Sequence, residues 1–144
     1  HIVVWERSGS FLMNSVAGIE MRQESGKVSN LAACAYMVLK AHHFSVSAEK
    51  LSAKNRSIYE MLQQYMEEPV NLNGTTLEQA LYFVSSGKYV IGMTGKSTAV
   101  VISGYDTKNV TYYNPQNGKQ ETVSRTQMES VFQSAGNRFV SYLK

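Results

Sequence analysis

The sequence predicts an α+β fold with its helices first and its sheet second. Two observations carry this. Between Ser29 and Gly87 the apolar residues recur at helical spacing, and after Gly87 the period shortens to short β-branched and aromatic runs. The two regions do not alternate, as strands and helices do in a parallel doubly wound sheet. The 144 residues match the usual length of one domain, and 43% hydrophobic against 17% charged residues is a globular composition.

HIVVWE, His1 to Glu6, is β-branched and is a candidate edge strand. SNLAACAYMVLKAHHF from Ser29 brings Leu31, Cys34, Ala35, Val38, Leu39 and His42 to one face, with Ser29 or Asn30 placed to cap the helix. Ala32, Ala33 and Ala35 let a neighbouring layer approach closely. A short helix is expected at 47–54, where Ser47 caps alone and Glu49 favours the first turn through the helix dipole. Ser57 to Glu68 reads as an amphipathic helix with Ile58, Met61, Leu62 and Tyr65 inward and Pro69 as its stop. Thr75 is the expected cap of the next helix, which carries Leu77, Leu81 and Val84 and ends at Gly87. YVIGMT, TAVVISGY, NVTYYN, KQETVS and RFVSYL are the expected strands, with one helix, Arg125 to Ser134, before the last of them.

Several function classes fall away on composition. No apolar run reaches the roughly 18 to 20 residues of a membrane span. The net charge of +3 is spread along the chain, and Lys50, Lys54 and Arg56 read as one solvated helix face, which disfavours a nucleic-acid surface. The single cysteine excludes an internal disulfide and a cysteine-rich zinc site, and the three histidines show no ligand spacing. No metal or other cofactor is expected. The chain begins at His1 and carries no signal-peptide pattern, so the expectation is a fragment of a longer protein. Asp106, the one aspartate, is expected to satisfy N–H groups of the turn at Thr107 and Lys108.

Four stretches carry a family resemblance: NLAACAYMVL at 30–39, GTTLEQALYFVSSGKYVIGM at 74–93, TAVVISGYD at 98–106 and YYNPQNG at 112–118, with FQSAGNRFVSY closing the chain. In this order and spacing they resemble papain-like cysteine peptidases of the bacteriocin-processing, double-glycine type. The resemblance covers roughly residues 23–144 and implies a papain-like fold there, with 1–22 as an N-terminal extension. It places the nucleophile at Asn30, the histidine at Thr98, the third catalytic member at Asn114 and the oxyanion-stabilising glutamine at Gln23. An amide is no nucleophile and a threonine hydroxyl is no base near neutral pH.

The resemblance therefore implies a pseudopeptidase: a catalytically inactive module for peptide binding or scaffolding in a larger bacterial protein, secreted or at the cell surface. A peptide or protein segment would lie between Asn30 and Thr98, with Tyr36, Tyr105, Tyr113 and Asn114 lining or supporting it. Two other readings stand beside this one. The first is an active cysteine peptidase or amidase with Cys34 as nucleophile in a shifted register, against Cys34 as a plain core residue. The second is a purely structural assembly domain. His42 is expected half-buried at the helix end and His43 exposed.

Overall fold

The computed structural model describes residues 14–16 and 18–144. The candidate edge strand at His1–Glu6 lies outside the described residues. In chain order the elements are β1 (Asn14–Ser15), α1 (Asn30–Ala41), α2 (Ala48–Ser52), α3 (Ile58–Gln63), β2 (Pro69–Asn71) and α4 (Leu77–Ser85). There follow β3 (Val90–Met93), β4 (Ala99–Tyr105), β5 (Asn109–Asn114), β6 (Lys119–Ser124), α5 (Arg125–Ser134) and β7 (Phe139–Tyr142).

The strands form one antiparallel sheet in the order β2-β7-β3-β4-β5-β6. β1 continues the sheet beside the far end of β4, where Asn14 pairs with Tyr105 beyond the reach of β3. Every residue of β3, and all of β4 up to Gly104, is buried. Such runs are continuous rather than alternating because both faces of the sheet are covered. Period two distributes them. Ala99 and Val101 join the core under α1, α2 and α3, while Val100 and Ile102 join a second core under α4 and α5. The expected α+β class stands, with helices on both faces rather than in one layer.

Local chemistry explains most boundaries. Ser29 is the N-cap of α1, its hydroxyl accepting from Ala32 N–H. Ser57 and Glu60 form a reciprocal capping box on α3, and Thr76 with Gln79 forms another on α4. The α4 cap is thus Thr76 and not Thr75, whose hydroxyl instead donates to the carbonyl of Leu72. α3 is shorter than the expected Ser57–Glu68. Pro69 does not merely stop it but opens β2, an edge strand paired with β7, where a residue without an N–H is tolerated.

α1 is buried almost all round rather than along one stripe, and Ala32, Ala33, Cys34 and Ala35 are fully covered. Tyr89, Phe132 and Phe139 are the largest fully buried side chains. Each contributes about 1.5–3 kcal/mol relative to exposure. Of the basic trio only Lys50 stands on a helix; Lys54 and Arg56 belong to the α2–α3 connection. The expected solvated helix face is therefore not formed.

Candidate functional site

The place of interest is where the start of α1 meets the start of β4. Asn30, the first residue of α1, is buried, with 7% of its surface exposed. Its side-chain oxygen accepts the backbone N–H of Ala99 at 2.7 Å, and its Nδ2 donates to Glu24 Oε1 at 2.8 Å. Glu24 is held in turn, its N–H donating to the carbonyl of Pro115 at 2.9 Å. Asn30 thus ties the helix start to two partners, the first strand residue of β4 and the segment that runs along the β5 exit.

Thr98 immediately precedes β4. Its hydroxyl accepts from the Thr94 hydroxyl at 3.0 Å, and its carbonyl accepts from the N–H groups of Thr94 and Gly95. It closes the β3–β4 turn. Asn30 is thus bonded to Ala99, the residue next to Thr98, which brings Asn30 close to Thr98. Two recesses flank Leu31, one toward the sheet and one toward the α2–α3 connection.

The remaining candidates go elsewhere. Asn114 donates to Glu121 Oε1 at 3.1 Å and accepts from Gln116 N–H at 3.0 Å. Asn117 donates to the other oxygen of Glu121 at 3.0 Å. These bonds, that of Asn114 foremost, hold the Glu121 carboxyl below the usual range. Asn114 is thus a clamp on the β5–β6 hairpin and makes no bond to Asn30 or Thr98. Gln23 is exposed and its amide reaches the carbonyl of Gln116 at 3.5 Å. It lies under Gly118, whose φ of +72° favours glycine and where an added Cβ would stand 3.0 Å from Gln23 Oε1.

The side chain that meets Asn30 from this segment is Glu24, which sequence reasoning missed. Its signal was its position, one residue nearer the helix than Gln23. Tyr113 is half-buried against the first core, which pushes its phenol up. Tyr36 packs on the same core with the Arg22 guanidinium 5.7 Å over its ring. Tyr105 does not join them. It packs against the second core at the opposite end of β4 from Thr98, under the guanidinium of Arg125 at 5.5 Å. A strand of seven residues rises about 20 Å, which separates the two ends.

Cys34 sits one helical turn inside α1, fully buried, with Sγ 4.0 Å from Asn30 Oδ1. Burial, and secondarily the charge of Glu24, push its thiol far up, so the thiolate is suppressed. The described histidines stand at the other end of α1, about 12 Å of helix rise away. His42 is exposed on one side, while its ring packs edge-on against Tyr142 and Tyr89, with Nε2 2.6 Å from the Tyr142 hydroxyl. His43 is exposed with φ +67°. Asp106 Oδ1 accepts from Lys108 N–H at 2.8 Å and Asn109 N–H at 2.6 Å. It satisfies its turn as expected, one residue further along than Thr107–Lys108. Among the described residues no three His, Cys, Asp or Glu side chains cluster as a metal site. Nor is any helix among them long and apolar enough to cross a membrane.

No protein-family model matches this sequence, and no curated protein matches it. Solved structures do. A Bacillus anthracis protein classed as a C39-like peptidase superposes with a TM-score of 0.82 at 15% identity, over 94% of this chain and 98% of that one. A double glycine motif protease from an AMS/PCAT transporter, solved in complex with the leader peptide, superposes at 0.64 and 13% identity. That match covers 92% of this chain and 97% of the other. At these identities the likeness is one of fold, and the fold of this chain is that of the C39-like peptidases.

Proposed function

We propose that this chain is a non-catalytic C39-like domain that holds a peptide or protein segment within a larger bacterial protein, secreted or at the cell surface. One observation carries the reading. At the place the resemblance assigns to the nucleophile stands the buried Asn30, with both ends of its amide engaged as structural bonds. The acidic side chain beside it, Glu24, has the wrong sign to stabilise an oxyanion. Thr98 offers a hydroxyl already engaged by Thr94 where a base would have to stand. The shifted-register alternative would rest on Cys34, whose ionisation to the thiolate is suppressed by burial and which lies far from the described histidines. The peptide-holding half of the reading is supported by the second neighbour, a protease solved with a leader peptide in place.

The test is incubation with a labelled peptide containing a Gly-Gly site, followed by mass spectrometry and fluorescence anisotropy. The expected result is an intact peptide with saturable binding. Cleavage that disappears in Cys34→Ala would overturn the non-catalytic reading, and absence of binding would overturn the peptide-holding one.

A further inference from the structure

The two recesses beside Leu31 share it as a common wall. The first, of about 130 Å³, lies between α3 and the sheet, with Ile58, Ile91, Met93 and Val140 among its apolar lining and Lys96 and Arg138 as its cations. The second, of about 330 Å³, lies between the start of α1 and the α2–α3 connection, and takes Lys54 and Arg56 together with Ser97. No aspartate or glutamate lines either one.

The four cations come from three separate stretches of chain: the α2–α3 connection, the β3–β4 turn and the residue before β7. Only the tertiary fold gathers them. The ion pairs among the described residues, Arg22–Glu49 and Lys144–Glu68, use none of the four. Glu60, the carboxylate near enough to feel Arg56, is already spent on the N–H of Ser57. Arg56 donates through Nη2 to the Leu51 carbonyl at 3.3 Å, while its Nε is buried and has no hydrogen-bond partner.

We infer that these recesses form one binding site for an extended acidic peptide segment, a conclusion that rests on the peptide-holding reading above. Apolar side chains of the segment fill the recess over Ile91, Met93 and Val140. Its carboxylates meet Lys96 and Arg138 on one side of Leu31, and Lys54 and Arg56 on the other. An extended chain suits this lining because alternate side chains can enter the apolar recess while the carboxylates between them meet the cations along both recesses. A single-stranded nucleic acid is disfavoured by the lining, in which Tyr59 is the one aromatic where stacking platforms need a series.

The experiment is fluorescence anisotropy of the chain with three labelled probes: an end-capped peptide alternating glutamate and leucine, its glutamine–leucine counterpart, and oligothymidylate. The glutamate peptide should bind at least about tenfold more tightly than the glutamine peptide and weaken as salt is raised. The double charge reversal Lys96→Glu with Arg138→Glu should remove that preference. Both residues are exposed, so the variant is expected to keep the fold, and Lys108→Glu with Lys119→Glu should leave binding unchanged.

Equal binding of the two peptides would overturn the acidic preference while leaving the peptide-holding reading intact. Binding of neither would overturn both. Oligothymidylate binding as tightly as the glutamate peptide would reduce the site to a general polyanion surface and sink the peptide assignment. Cleavage of the bound peptide would instead overturn only the non-catalytic reading.

Discussion

The side-chain oxygen of Asn30 accepts the backbone N–H of Ala99 at 2.7 Å, so the first residue of α1 holds the first residue of β4. Ala99 is buried, with 1% of its surface exposed, and Asn30 is its partner. Asn30→Ala leaves that N–H unsatisfied and is expected to cost about 1–3 kcal/mol in urea unfolding. Asn30→Asp keeps the acceptor but sets a carboxylate against Glu24. It should be destabilising near neutral pH and recover on acidification, as one of the two carboxyls takes a proton. An Asn30→Ala variant as stable as the parent would contradict the bridge.

Gly92 lies in β3 between aromatic rings of the second core. An added Cβ would meet Phe132 Cε1 at 2.7 Å and Phe139 Cδ1 at 3.0 Å. Those rings are fully buried and packed against each other at 5.1 Å between centroids, so neither has room to yield. Gly92→Ala should lose about 1–3 kcal/mol by overpacking. Gly26→Ala, with nothing within 4 Å of the new atom, is the comparison. Equal unfolding midpoints for the two would refute the packing.

Stability should fall on the alkaline side. Burial raises the Cys34 thiol above its ordinary 9.0, and it raises Tyr112 and Tyr142 from 10.0 to about 12 each. Between ordinary and raised values the unfolded chain loses protons that the folded chain keeps, so stability is full below pH 9.0 and declines as pH rises beyond it. His42 acts oppositely: burial lowers its imidazole below 6.5, so its contribution is lost as pH falls through that value. Urea titrations from acid to alkaline pH should trace a plateau between these limits. Cys34→Ala should begin its alkaline decline later than the parent; an identical onset would exclude the thiol as a cause.

Asp106 is buried and its Oδ1 serves two backbone donors, Lys108 and Asn109. Asp106→Ala should cost about 1–3 kcal/mol, while Asp106→Asn, which keeps an acceptor oxygen, should cost less. Thermal unfolding of the pair checks this. A larger loss in the asparagine variant would mean that charge rather than the turn geometry matters.

Much of the fold was legible because its signals are local. β5, β6 and α5 occupy the stretches that the β-branched and aromatic runs and their turn residues indicated, and Ser124 caps α5 where that helix was expected to begin. β2 was not legible. Three residues ending a helical pattern at Pro69 carry no strand period, and only pairing with β7 across the sheet makes them one. The candidate site divided similarly. The adjacency of Asn30 and Thr98 followed from the resemblance, whereas the roles of Gln23 and Glu24 turned on which side of an extended segment faces the helix.

The sequence by itself determined the class, helices before strands within one domain's length, and the identity of the side chains, Asn30 and Thr98, at the places the resemblance assigns to reactive groups. Periodicity, caps and residue identity are properties of neighbouring positions, so they can be read along the chain. Tertiary structure alone decided that the helices cover both faces of the sheet and that Tyr105 lies away from Asn30. It also decided that Lys54, Arg56, Lys96 and Arg138 surround Leu31. These depend on which distant segments pack together, and the energy of that packing is shared by the whole core rather than written at any single residue.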